Sequence, residues 1–375
     1  MHIPFNRPYF TGNEIDTMIK AAMAGQISGN GLYTRKCHRL LEKTFGFKKA
    51  FLTTSCTDAL EMAALLSGVG TGDEVIVPSF TFVSTANAFV LRGAKIVFAD
   101  SNRLNPNIDI DGIEELITPR TRAIAIVHYA GIANDMDKVM DIARRYNLLV
   151  IEDAAHSIDS YYKGRPLGGI GHFGTFSYHE TKNIISGEGG ALIVNDERFI
   201  NRAEIVWEKG TNRVAFKRGE VSKYEWVDVG SSYLPSEVIS AILYAQLTEL
   251  KKIQKRRKEI WNLYFELLEP LALLDKVKLP LLPDYATVNG HIFYILTSDL
   301  EERDRLLKYL SKNGIQAVFH YIPLHSSPYY RDKHDGRDLP WARSYSERII
   351  RLPFYYELLD IQVEKITDRI KRFYK

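Results

Sequence analysis

At 375 residues the chain is too long for one ordinary domain, and the usual domain size predicts two. Its 45% apolar and 25% charged composition is that of a globular protein, and 49 Lys and Arg against 46 Asp and Glu leave a formal charge of only +3. That balance excludes a polyanion-coating role, which needs a concentrated basic face, while leaving room for a local anion site.

Cys37 and Cys56, the only two cysteines, are too few for a disulfide framework or a structural zinc cage, which points to a reducing compartment and no metal. The stretch Met1-His-Ile-Pro-Phe-Asn-Arg-Pro8 lacks the basic-then-apolar layout of a secretory signal. No apolar run approaches the roughly 18 residues of a membrane span, and even 123–133 carries His128. The expectation is a soluble cytoplasmic protein that binds neither membrane nor nucleic acid.

In chain order, short apolar runs stand at 49–53, 74–77, 95–99, 122–127 and 147–151, with amphipathic stretches at 57–67, 81–92 and 134–146 between them. Near-continuous aliphatic runs of that length predict strands buried on both faces, hence an α/β parallel sheet. Ligands of such sheets gather at the carboxyl ends of the strands. Gly169-Ile-Gly-His-Phe-Gly174 matches the dinucleotide fingerprint by letter, but a polar turn precedes it and an alternating strand pattern, Thr175-Phe-Ser-Tyr178, follows. It is predicted to be a plain Gly-rich loop. Leu148-Leu-Val-Ile-Glu-Asp153 resembles the acidic strand of P-loop proteins, yet the chain has no phosphate-binding P-loop to go with it.

From Pro235-Ser236 one long helix is predicted, running through Lys251–Lys258 as a solvated basic face. After the Pro-rich passage Leu279–Asp284 follow a strand at 291–297, a helix at 301–312, a strand at 315–319 and terminal helices. The domains are therefore placed at 1–245 and 246–375, with no internal repeat.

Four strand-end segments combine into chemistry. Thr54-Ser-Cys-Thr-Asp-Ala-Leu60 passes from strand to helix through small polar residues, suited to a phosphate, although the same pattern makes an ordinary helix cap. Pro78-Ser-Phe-Thr-Phe82 offers aromatic faces, which are more often core. Asp153 ends a buried strand, where a helix N-cap is the plain alternative. Lys182 lies between an alternating strand and the turn Gly187-Glu-Gly-Gly190. Pyridoxal 5′-phosphate (PLP) needs such a set: a Schiff-base lysine, a carboxylate for the pyridine nitrogen, a stacking ring and a phosphate cradle.

The same segments resemble the DegT/DnrJ/EryC1/StrS sugar aminotransferases of PLP fold type I. The resemblance rests on Pro78-Ser-Phe-Thr-Phe-Val-Ser-Thr85, Val127-His-Tyr-Ala-Gly131, Val150-Ile-Glu-Asp-Ala-Ala-His156, Tyr162-Lys-Gly-Arg165 and Phe176-Ser-Tyr-His-Glu-Thr-Lys-Asn183. Thr34-Arg-Lys-Cys37, Glu208-Lys-Gly-Thr-Asn-Arg213, Gly230-Ser-Ser-Tyr-Leu234 and Val318-Phe-His-Tyr-Ile-Pro-Leu-His325 are similar to the subgroup that makes dTDP-4-amino-4,6-dideoxygalactose. The resemblance implies a large domain with a mostly parallel central sheet flanked by helices, a smaller C-terminal α/β domain, and a homodimer whose active sites lie at the subunit interface.

By matching position it implies that Lys182 forms the Schiff base and shuttles the proton, Asp153 pairs with the pyridine nitrogen and Phe82 stacks on the ring. Cys56, Thr57 and Ser177 would hold the phosphate. His156 stands where the family commonly has Gln against the ring hydroxyl, and Ser232 where it commonly has an Asn supplied by the second subunit. His320, Tyr321 and His325 would line the sugar and diphosphate pocket, with a histidine pair packed at a domain interface as the alternative, and Arg213 would contact the diphosphate. The implied reaction moves the amino group of L-glutamate to C-4 of dTDP-4-dehydro-6-deoxy-D-glucose, giving dTDP-4-amino-4,6-dideoxy-D-galactose and 2-oxoglutarate. Alternatives are a C-3 or UDP-linked keto-sugar transaminase and a non-catalytic PLP-binding regulator. A dehydrating relative with His at the lysine position is disfavoured by Lys182.

Overall fold

The aliphatic runs assemble into a seven-stranded sheet of β1 Lys49–Thr53, β2 Glu74–Pro78, β3 Lys95–Ala99, β4 Thr121–Val127, β5 Leu149–Asp153, β6 Phe173–Ser177 and β7 Gly190–Val194. The description is of a computed structural model covering residues 2–375; Met1, where the N-terminal stretch considered above begins, lies outside the described residues. The strand order is β1-β7-β6-β5-β4-β2-β3. Pairs β2/β3, β2/β4, β4/β5 and β5/β6 are parallel, and β7 runs antiparallel to both β6 and β1.

Parallel neighbours require crossovers, and the helices Cys56–Leu66, Val83–Val90 and Met136–Tyr146 occupy the three predicted amphipathic stretches. Both faces of the sheet are thereby covered. Val75, Ile76, Val77 and the whole of Ala123–Ile126 are fully buried, which explains the absence of a polar alternation in those strands. Truncating one of them, such as Ile124→Ala, costs about 2–5 kcal/mol by the usual cavity penalty.

Four expectations are corrected. The helix Met136–Tyr146 ends on Asn147 in the left-handed conformation (φ 53°), so the next strand starts at Leu149 and carries Asp153 as its last residue. The long helix is two, Glu237–Thr248 and Leu250–Leu273, broken at Glu249. In its basic run Lys251, Lys252 and Lys255 are exposed as expected, but Arg257 is buried. Its guanidinium satisfies the carbonyls of Gly290 (2.8 Å) and His291 (2.8 Å). The stretch 315–319 is no strand: Ile315 and Val318 each form one isolated bridge, to Ile3 and Arg351. The partner of the strand Tyr294–Leu296 is instead Ile349–Arg351.

The Gly-rich loop serves a carboxylate inside the protein. Glu152 accepts from the N–H groups of Gly168 (2.9 Å), Ile170 (2.7 Å) and Gly171 (2.5 Å), and pairs with His128 Nε2 at 2.9 Å. A side chain at Gly174 would place its Cβ 2.0 Å from the Gly168 carbonyl oxygen, so glycine is obligatory there.

Candidate active site

The carboxyl ends of β1, β2, β5 and β6 open on a cavity of about 910 Å³, walled on its far side by Phe319–Ile322 and Arg351. At the β1 end, Ser55 caps the helix Cys56–Leu66 by accepting from Asp58 N (3.0 Å). The N–H groups of Cys56 and Thr57, at its first two positions, have no acceptor within the helix. The strand β7 packs so closely here that a Cβ on Gly190 would lie 2.4 Å from the Ser55 carbonyl and 2.5 Å from Cys56 N. The helix cap of the sequence reading is present, and the same helix start turns two N–H groups without an intrahelical acceptor toward the cavity. Thr57 Oγ1 and Ser84 Oγ, 2.8 Å apart, add hydroxyls, and Ser177, the last residue of β6, adds a third.

Asp153 caps no helix. Its Oδ2 accepts from Thr85 Oγ1 (2.7 Å), which is itself 2.9 Å from Thr81 Oγ1, and its Oδ1 accepts from Ala155 N (3.1 Å). Burial pushes the carboxyl above its usual range, and the Thr85 hydroxyl and Ala155 amide only partly oppose this. Among the described residues no Lys or Arg hydrogen-bonds to it. Phe82 is 55% exposed on the cavity wall rather than in the core, its ring 6.1 Å from that of Tyr321.

Lys182 sits in the turn after β6, its N–H bonded to the His179 carbonyl (2.9 Å). Enclosure in the cavity lowers its amine to about 8; Arg351 adds to the fall, while Cys56 and Asp153 oppose it. In the cofactor-free protein, amine labelling of Lys182 followed against pH should therefore show a midpoint near 8. A midpoint at the ordinary 10.5 would remove this account.

His156 Nδ1 accepts from Ala130 N (3.3 Å), so its proton is on Nε2. Burial, then the charges of Lys182 and Arg351, hold the ring neutral. Its ring packs 4.2 Å from that of His291, whose Nδ1 is 2.8 Å from Asn183 Oδ1.

Nine of the sequence-selected residues line this one cavity: Cys56, Thr57, Phe82, Asp153, His156, Ser177, Lys182, His320 and Tyr321. Three do not. His325 bonds through Nδ1 to Ser79 Oγ (2.7 Å) and packs on His334. Arg213 faces Glu208 at 3.7 Å, and Ser232 is exposed beside that same glutamate. Sequence reasoning missed Thr85, His291 and Arg351. For Arg351 a signal existed, a charge closing the apolar run Ile349-Ile350; the other two had none.

The donor set takes an anion at the helix start, a cationic nitrogen opposite Asp153, a flat ring against Phe82 and a carbonyl at Lys182. Those are the four parts of PLP, and the residues present fit it.

A protein-family model described as the DegT/DnrJ/EryC1/StrS aminotransferase family matches residues 9–371. An uncharacterized protein of Methanocaldococcus jannaschii is 34% identical over 99% of this chain and 97% of its own. The aminotransferase TlmJ from Streptoalloteichus hindustanus superposes with a TM-score of 0.91 at 28% identity, covering 99% of this chain and 98% of that one. A Streptococcus pneumoniae protein described as a sugar aminotransferase, solved in its PLP form, gives 0.90 at 26% identity, covering 99% and 98%.

Proposed function

The chain belongs to the DegT/DnrJ/EryC1/StrS aminotransferase family, a PLP-dependent sugar aminotransferase, and from that premise we propose its substrates and the roles of its residues. The amino group of L-glutamate moves to C-4 of dTDP-4-dehydro-6-deoxy-D-glucose, giving dTDP-4-amino-4,6-dideoxy-D-galactose and 2-oxoglutarate. PLP, when bound, supplies an electron sink for the pair released at the amino-bearing carbon.

The chain's own groups do the rest. Lys182 would hold the cofactor through its Nζ, and the same amine, once free, would take and return the proton at the amino-bearing carbon of the substrate. Asp153 keeps the ring nitrogen protonated. Phe82 orients the ring, and Cys56 N, Thr57 and Ser177 hold the phosphate. His156, with Nε2–H free, donates to the ring hydroxyl. His320 and Tyr321 line the space left for the sugar. His325 and Arg213 lie outside the cavity, where they would meet only the outer, nucleotide part of a substrate. The observation that carries this reading is the convergence of a depressed amine, a buried carboxylate without a cation and two free helix N–H groups on one cavity.

The division into 1–245 and 246–375 remains our assignment; an apolar cluster at Ile260–Ile370 that takes only Ile3 from the N-terminal part supports it, while Tyr294, Leu296, Tyr345 and Ile349 pack into the cluster of the large sheet. A homodimer, with Ser232 reaching the partner's phosphate, is supported by the exposed Trp226, Val227 and Val229 beside it. A cytoplasmic setting is our assignment too; no helix among the described residues is long and apolar enough to cross a membrane.

Pairwise assays of dTDP- and UDP-linked 4-keto and 3-keto sugars, with product configuration read by NMR, test the substrate. The expected product carries an axial C-4 amine on dTDP. An equatorial amine, or turnover only at C-3 or on UDP, rejects the assignment.

A further inference from the structure

His291 reaches the cavity wall with its ring locked from behind. Its Nδ1 stands 2.8 Å from Asn183 Oδ1. The Asn183 amide cannot be turned over, because its nitrogen donates to Gln254 Oε1 (2.9 Å) and to the Asn289 carbonyl (3.0 Å). The Gln254 nitrogen faces two carbonyls in turn, those of Ile158 (3.2 Å) and Asn289 (3.3 Å). One assignment satisfies them all: the Asn183 oxygen accepts and His291 donates from Nδ1. The backbone is pinned as well, His291 N–H donating to Asn289 Oδ1 at 3.0 Å and the His291 carbonyl accepting from Arg257 at 2.8 Å. All four side chains, His291, Asn183, Gln254 and Asn289, are buried. A satisfied buried network of this kind is rigid.

The ring of His156 has no such hold of its own. Among the described residues it makes one hydrogen bond, from Ala130 N, and that is 3.3 Å long. Tyr129 meets it edge-on, with ring centroids 5.8 Å apart. Its face lies against His291, with centroids 4.2 Å apart and the planes 30° from parallel. Burial, then the charges of Lys182 and Arg351, keep His156 neutral; burial, then His156 itself, Lys182 and two arginines, keep His291 neutral. No like-charge repulsion parts the two rings. One is fixed by a network, and the other leans on it.

We propose that His291 is a positioning residue, its locked ring keeping the His156 ring turned so that Nε2–H is offered to the ring hydroxyl of the cofactor. The inference rests on the reading of His156 as that donor. It also accounts for the place of the network in the chain. Asn183 follows Lys182 directly, and Asn289 Nδ2 donates to the His156 carbonyl at 2.8 Å. The same buried amides therefore fix the lysine turn and the histidine pair relative to each other.

The test uses His291→Phe and His291→Gln, each made in wild type and in His156→Phe. The first keeps a flat face without a donor for Asn183; the second keeps a donor without the face. His156→Phe keeps a ring and removes the N–H. Two properties are read: the dissociation constant of PLP by equilibrium dialysis, and the pH at which the absorption of the bound cofactor changes. In wild type, His291→Gln should weaken PLP roughly 3- to 10-fold, the size of one aromatic pair. A hydrogen bond donated to the ring oxygen favours the form of the cofactor that has lost its proton. Its loss should therefore move the absorption change to a pH about 0.5–1 higher. His291→Phe should stay close to wild type in both. In the His156→Phe background, His291→Gln should move neither further, because the group it positions is gone.

An unmoved absorption change in His291→Gln overturns the proposal. So does a change of equal size in both backgrounds, which would mean that His291 acts without His156. Recovery by His291→Gln but not by His291→Phe would assign the effect to Asn183 and reject the role of the ring. If His291→Phe does not fold, the two backgrounds of His291→Gln decide alone. His156→Phe with wild-type affinity and absorption would reject the reading of His156 itself, and the proposal with it; a His156 effect without a His291 effect rejects the proposal only.

Discussion

Lys182→Ala is expected to lower turnover by at least about 10⁴-fold, the range set by loss of a group that both holds the cofactor and carries the proton. Borohydride treatment of the yellow wild-type holoenzyme should leave the pyridoxyl mass on Lys182, and the variant should take up none covalently. The fold is expected to survive. Lys182 is in a turn, and its one backbone contact, N–H to the His179 carbonyl, is kept by alanine.

The depressed amine adds a readout that a bystander lysine would not give. Its folded value, about 8, lies below the ordinary 10.5, so the unfolded chain binds more protons between those limits and stability rises with pH there. Below about 8 the full cost of an enclosed ammonium is present. Cofactor-free Lys182→Ala should accordingly melt higher than cofactor-free wild type at pH 7, with the gap closing as pH passes 10.5. A variant that turned over normally would remove Lys182 from the mechanism, and equal melting temperatures would remove the enclosure argument.

What was legible in the sequence was local. The runs at 49–53, 74–77, 95–99 and 122–127 are strands within a residue or so because aliphatic residues buried on two faces leave no other pattern. The run at 147–151 slipped by two residues, because hydropathy does not show that Asn147 is spent ending a helix. The residues selected for the cofactor share one cavity because they stand next to strand ends and Gly-rich turns. The stretch 320–325 shows the limit. His320 and His325 carry the same sequence signal, yet Arg351 takes one into the cavity and Ser79 takes the other out of it. Both partners are distant in the chain. The same holds for Thr85, which reaches Asp153 from another strand-end loop, and for Arg257, buried only because two carbonyls fold back onto it. The strand Ile349–Arg351 could not outbid a terminal helix on pattern alone, since three residues carry too little periodicity.

Asp153→Ala carries the second large expected loss, between about 10² and 10⁴ in kcat/KM. Removing one member of a buried charge pair costs about 3–5 kcal/mol, and each ~1.4 kcal/mol is a factor of ten in rate. Asp153→Asn keeps the shape and the acceptor for Thr85 while removing the charge, so it should lose nearly as much if the charge is what matters. A near-normal Asn variant would reduce Asp153 to a spacer, and a near-normal Ala variant would remove its role altogether. Thr85→Val tests the support behind it. That hydroxyl is the largest influence opposing the burial that raises Asp153. Without it the carboxyl should move further up, and because the ionised form is the active one, activity should fall off at a higher pH on the acid side. One charge-assisted hydrogen bond is worth about 1.5–3 kcal/mol, so the loss at neutral pH should be roughly 10- to 100-fold. An acid limb that stays in place in Thr85→Val would mean that the hydroxyl neither orients nor charges Asp153, and that the carboxylate is held by Ala155 alone.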